Sequence, residues 1–152
     1  PDYAACDVRY SADNESAEFA LDLAGAWPEE AGVRRWERSI RFRRRDGIEV
    51  RDAYELDAAP DSIVLNLLTA CAVGEPRDGE IRLQPRELPG GREAGRALLC
   101  FDPAAMTPEL ETVPVEDGQL QRVWGDSLTR ILLRLREPTA NGTVTLRVEP
   151  TD

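Results

Sequence analysis

A chain of 152 residues, 41% apolar and 32% charged, is long enough for one domain with a substantial core and is neither disordered nor membrane-embedded, since no apolar stretch approaches the roughly 20 residues of a spanning helix. Acidic residues outnumber basic ones 29 to 19, a formal net charge of -10, which argues against broad binding to nucleic acid or an anionic membrane and confines any anion site to a local patch. Every cation is arginine and there is no histidine, so the commonest general base near neutral pH and the commonest metal ligand are both missing.

The chain opens with PDYAACDVRY, which has neither an initiator Met nor a basic segment followed by an apolar one. No signal peptide is read there, and the chain is expected to be a piece of a longer protein. From this point, period-two alternation broken by Gly, Pro, Asn and Asp predicts strands near 4–11, 16–24, 33–43, 48–56, 62–71, 80–84, 96–101, 119–124, 128–136 and 143–149. About ten short strands make an all-β, antiparallel β-sandwich with minimal helix, read as a single domain over residues 1–152. Two segments look helical for one turn each: PEEAG after Trp27, with Pro28 at the position a first-turn proline takes, and DPAAM at 102–106.

The stretch WERSIRFRRRDGIEVRDAYEL, residues 36–56, reads as two strands folded about Arg45. In that register Phe42 meets Ile48, Ile40 meets Val50, Arg38 meets Asp52 and Trp36 meets Tyr54 on one face, while Arg41 meets Glu49 and Arg35 meets Glu55 on the other. A two-residue Asp46-Gly47 turn would instead set Phe42 opposite Arg51 and send apolar side chains to the wrong face. Arg38 then sits among Trp36, Ile40, Val50 and Tyr54, where an unpaired charge costs several kcal/mol, so Asp52 must hold it as a structural ion pair. Arg43, Arg44 and Arg45 at the tip form the concentrated cation cluster. They read either as a soluble hairpin tip or as a contact for an acidic sugar.

Farther on, IVLNLL at Ile63–Leu68 is apolar on both strand faces apart from Asn66 and is expected inside a covered sheet, as is Leu128–Leu135. GEPRDGE and ELPGGREAGR read as loops; no helix follows Gly90-Gly91, so a phosphate cradle has little basis there. LTRILLRLRE and GTVTLRVE flank PTANG, whose Asn141-Gly142 suits a tight reversal, which sets Ile131, Leu133 and Leu135 with Val144, Leu146 and Val148 in the core.

Other candidate chemistry is sparse. Cys6, Cys71 and Cys100 are widely spaced and odd in number, unlike a disulfide framework or a zinc knuckle, and are expected as buried free thiols. No calcium-loop spacing occurs, PVEDGQ reads as a turn, and Ser39 and Ser127 have no histidine partner for a triad, so neither metal nor cofactor is expected. Of Trp27, Trp36 and Trp124, Trp36 and its partner Tyr54 point inward, leaving Trp27 at a strand end as the best candidate for an exposed, sugar-stacking ring.

The order AEFALDLAGAWPEEAGVRRWERSIRFRRRDGIEVRDAYEL, then IVLNLLT, then VWGDSLTRILLRL resembles the C-terminal β-sandwich region of the heparinase II/III-like proteins, through Trp27-Pro28, then Trp36, Arg38, Ile40 and Phe42, then Ile48, Val50 and Asp52. That family consists of polysaccharide lyases, typically bacterial, that pair an α-toroid with a β-sheet part and cleave uronic-acid glycans by β-elimination, using His, Tyr and Asn or Glu. The histidines have no counterpart in this chain, so the resemblance carries over no catalytic residue. It implies a non-catalytic domain whose partners are the N-terminal α-toroid and catalytic part of its parent, with acidic polysaccharide as a further partner; the candidate glycan contacts, Trp27, Arg43, Arg44 and Arg45, rest on the strand-end and hairpin-tip readings above. A secreted or periplasmic parent would fit. A free-standing carbohydrate-binding or adhesion sandwich is the competing reading. It should present exposed Trp or Tyr on a concave face, whereas a lyase domain should bare an apolar patch.

Overall fold

A computed structural model describes residues 3–151. In chain order the strands are β1 (Cys6–Ala12), β2 (Ser16–Asp22), β3 (Val33–Arg43), β4 (Gly47–Leu56), β5 (Val64–Thr69), β6 (Ala72–Val73), β7 (Glu80–Gln84), β8 (Glu87–Leu88), β9 (Arg92–Glu93), β10 (Ala97–Cys100), β11 (Met106–Pro114), β12 (Ser127–Leu135) and β13 (Asn141–Glu149), with one α-helix, α1 (Gly118–Trp124). All the described pairings are antiparallel, and the fold is all-β. The chain divides into two compact units, residues 1–61 with 137–149 and residues 62–136 with 150–152.

In the first unit β1, β2, β3 and β4 form an up-and-down meander, and β13 adds antiparallel to β4. The β3–β4 register sets Phe42 opposite Ile48, Ile40 opposite Val50, Arg38 opposite Asp52 and Trp36 opposite Tyr54, as the alternation of apolar residues dictates. Arg45 lies at the reversal with φ 75°, and Gly47 with φ 105° opens β4. A Cβ at Gly47 would meet the Val148 carbonyl oxygen at 2.1 Å, so glycine is obligatory where the hairpin runs against β13. Ala24–Ala26 and Glu29–Ala31 each form one 3-10 turn, the second where PEEAG predicts it, closed by Gly32 in the left-handed region.

In the second unit β12 is the centre of a β11-β12-β5 sheet, β7 lies between β10 and β6, and β8 and β9 make a short hairpin. Ile131 and Leu133 on β12, Ile81 on β7, Leu99 on β10 and Met106 on β11 are at most 1% exposed. Each such side chain contributes roughly 1.5–3 kcal/mol by leaving water.

Several expectations are corrected. Residues 119–124 are helix, not strand: the Asp117 side chain accepts hydrogen bonds from the Gln119 and Leu120 amides at 2.8 and 2.9 Å and so caps α1. At the other end Arg86 donates to the carbonyls of Trp124 and Ser127, and Arg92 donates to that of Val123, which places cations where the helix dipole favours them. β12 and β13 do not pair with each other; β12 pairs with β11 and β5, and β13 with β4. Asn141-Gly142 is accordingly the start of β13 rather than a reversal, and neither residue has positive φ. IVLNLL forms an edge strand, with Ile63 and Leu65 buried but Asn66 and Leu68 exposed. Of the six residues expected in the core, five are buried and Val148 is half-buried. Cys6 is exposed and Cys71 and Cys100 are half-buried, so none of the thiols is fully buried. DPAAM makes a single turn closed by the Met106 amide on the Asp102 carbonyl at 2.9 Å.

Candidate functional site

The surface richest in chemistry lies at the β3–β4 tip. Arg43, Arg44 and Arg45, with Asp46, form one wall of a cleft of about 500 Å³ whose other wall is the β1–β2 turn, Asp13 to Ser16. The two turns are tied together, because the Arg44 amide donates to the Glu15 carbonyl at 2.9 Å. Asp13 folds back on its own turn: its Oδ1 accepts from the Glu15 and Ser16 amides at 2.8 and 2.7 Å, and these bonds hold its carboxyl below the usual carboxylate range. All three tip arginines are exposed, and none makes an ion pair with another described residue.

The other arginines of β3 are compensated. Arg38 donates to Asp52 through Nε and a terminal nitrogen, both at 2.7 Å, a bidentate pair in which Asp52 is 2% exposed. Hydrogen bonding to Asp52 raises the Arg38 pKa above its already high usual value, against the opposing effect of burial. On the opposite face Arg41 pairs with Glu18 at 2.5 Å, and Arg35 and Arg9 both pair with Glu37 at 2.7 and 3.1 Å. Two guanidiniums on one carboxylate hold Glu37 below its usual pKa, Arg35 contributing most. Arg41 takes Glu18, directly across on β2, rather than Glu49 across on β4, which pairs with Arg147 directly across on β13 at 3.1 Å, and Glu55, across from Arg35, is not the ion-pair partner of Arg35. The register of the β3–β4 hairpin alone does not assign partners, because a central strand has a neighbour on each side and Arg35 reaches along its own strand to Glu37.

At the other end of β3 lies an aromatic ladder. Trp36 stacks on Tyr54 with centroids 5.2 Å apart, and Trp27 leans on Trp36 at 6.2 Å. Tyr54 is 5% exposed, whereas Trp27 is 48% exposed. The Trp36 indole N–H is buried and finds no acceptor among the described residues. Trp36 and Arg43 are separated by roughly 23 Å of strand. Trp27 and the tip arginines therefore do not form one compact site.

The face carrying Arg38 and Asp52 is otherwise apolar. It is buried at Val144 and Leu146 on β13 and becomes open toward β1 and toward the β3–β4 tip, where Tyr10, Phe19, Phe42 and Ile48 are 71%, 38%, 45% and 39% exposed. These four are neighbours: Tyr10 pairs with Phe19, Phe42 pairs with Ile48, and Ala17 links Phe42 to Ala12. Period-two alternation predicts the face but not its exposure, which depends on what covers it. Among the described residues no group of three or more Cys, Asp and Glu is placed to hold a metal ion, and no helix is long and apolar enough to cross a membrane.

No family model matches the chain, and no curated protein matches it in sequence. Its fold is nevertheless found in solved structures. The chain is similar to heparan sulfate lyase HepC from Pedobacter heparinus, with a TM-score of 0.67, 10% sequence identity and 97% of this chain covered. A mutant of the same enzyme gives the same values. The chain spans 22% of the length of that lyase. At this identity the likeness concerns the fold, and it extends over nearly the whole of the chain.

Proposed function

We propose that this chain is a non-catalytic β-sandwich domain of a heparinase-like polysaccharide lyase whose whole protein cleaves uronic-acid polysaccharides by β-elimination. The observation that carries the reading is the fold likeness to a heparan sulfate lyase over 97% of the chain. Two features of the chain support a supporting rather than catalytic role. It contains no histidine to take or give a proton near neutral pH. It also bares the Tyr10, Phe19, Phe42 and Ile48 face, as a domain does where it docks on other parts of its protein, here an α-toroid and catalytic part.

The experiment is to offer the chain heparan sulfate and alginate and follow the ultraviolet absorbance of the unsaturated uronate that β-elimination leaves. No rise is expected, and turnover would overturn the non-catalytic role. The coding region on either side should specify a helical segment with histidine-bearing sheet sequence. The half-exposed Trp27, stacked on Trp36, favours a second reading as a free-standing carbohydrate-binding module. That reading predicts neutral-glycan binding lost in Trp27→Ala and no lyase sequence alongside.

A further inference from the structure

We infer that the cleft between the β3–β4 tip and the β1–β2 turn is a binding site for an acidic saccharide chain, with Arg43, Arg44 and Arg45 holding its carboxylate or sulfate groups. The inference deepens the lyase-domain reading by assigning a glycan contact to one surface, and it rests on that reading for the choice of polymer. The location stands on the geometry.

Every other arginine of the first unit has a polar partner. Arg9, Arg34, Arg35, Arg38, Arg41 and Arg147 lie within 3.1 Å of a carboxylate oxygen, and Arg51 donates to the Thr143 hydroxyl at 3.5 Å. Only at the tip do three consecutive guanidiniums face open solvent, and there they line a cavity. In a chain with net charge -10 such a concentration is not the overflow of a basic composition. Arg45 also occupies the left-handed region at φ 75°, where a residue with a Cβ is disfavoured by roughly 1 kcal/mol relative to glycine. A turn shaped only to reverse the chain would take Gly or Asn at that position. The guanidinium is what distinguishes the residue present.

Guanidinium groups take carboxylates and sulfates in a planar, two-pronged contact. Consecutive residues point in different directions, so the three cations spread along the rim rather than converge on one small ion. The rest of the rim selects among polyanions. Asp13, Glu15 and Asp46 are exposed carboxylates beside the arginines, three against three, and Asn14 and Ser16 add neutral polar groups. They suit a polymer that carries hydroxyls between its charges. They repel one as densely charged as duplex DNA, with a charge every 1.7 Å or so of axis.

Titration calorimetry tests the site with size-defined heparan sulfate and oligouronate chains, inorganic sulfate and a DNA oligonucleotide. The test variant is Arg43→Gln/Arg44→Gln/Arg45→Asn, in which Asn tolerates the positive φ and keeps the tip intact. A control, Arg77→Gln/Arg82→Gln/Arg122→Gln, removes the same charge from exposed positions of the second unit. The wild type should bind an acidic saccharide chain, the tip variant should lose at least about tenfold in affinity, and the control should stay within about twofold. Equal binding by the tip variant, or an equal loss in the control, would overturn the site while leaving the lyase-domain reading untouched. Absence of any saccharide binding by the wild type would overturn it as well. Inorganic sulfate binding as tightly as the chains, or DNA binding more tightly, would overturn the saccharide assignment. Failure of the domain reading shows separately, as neighbouring coding sequence without lyase features, and turnover in the absorbance assay overturns only its non-catalytic part.

Discussion

Arg38 and Asp52 share two hydrogen bonds but not one environment: the arginine side chain is 37% exposed and the aspartate 2%. The inequality sets the order of two substitutions. Arg38→Ala strands a carboxylate that water cannot reach, and losing one partner of a buried pair costs about 3 kcal/mol or more. Asp52→Asn keeps an acceptor of the same shape in place, and the guanidinium it partly releases can turn to solvent, so its cost is nearer 1 kcal/mol. Urea unfolding of the two variants should rank Arg38→Ala as clearly the less stable. The reverse order would mean that the pair is not holding a buried anion. This contact is legible before any coordinates, because alternation forces a cation between Trp36 and Ile40 and puts one carboxylate across from it. The partners of Arg35 and Arg41 are less legible. Arg41 has an acid directly across on each neighbouring strand, Glu18 on β2 and Glu49 on β4, and Arg35 reaches along its own strand to Glu37, so the hairpin alone does not make the choice.

Among the elements, β13 meets β4 at a glycine for a reason that differs from the one its sequence suggests. Asn141-Gly142 looks like a reversal, but Gly142 lies directly across from Tyr54, and a Cβ there would meet the Tyr54 hydroxyl at 2.6 Å. The aromatic ring covers a strand position that must stay empty. Gly142→Ala should therefore destabilise by about 2 kcal/mol, as an overfilled core site does. Gly91→Ala, at φ 70° with nothing within 4 Å, should cost only about 1 kcal/mol of backbone strain. Thermal unfolding of both checks the difference, and equal shifts would remove the steric account of Gly142. The same comparison explains which elements could be read. Strands with strict alternation, β3 and β4 above all, announce themselves. β11 does not, because Pro108 and Pro114 argue against a strand, yet it occupies an edge of its sheet where missing amides cost nothing. α1 is hidden for another reason: seven residues are too few to display a helical period, and its one clear signal is the Asp117 cap.

For the molecule as a whole, an acid surplus and a bare apolar face pull in opposite directions. A net charge of -10 keeps copies apart at low ionic strength, while Tyr10, Phe19, Phe42 and Ile48 offer a surface that gains by being covered. Salt separates the two effects. The screening length falls from about 10 Å at 0.1 M to about 3 Å at 1 M, which removes most of the repulsion and leaves apolar attraction intact. Sedimentation velocity should show a monomer in dilute buffer and concentration-dependent association in strong salt. Tyr10→Ser/Phe42→Ser should abolish that association at a modest loss of stability, since Tyr10 is 71% exposed but more than half of Phe42 is already covered. Association that persists in this variant would place the sticky surface elsewhere, with the exposed Leu120, Val123 and Trp124 of α1 the next to test, and would take from the docking argument its most direct physical support.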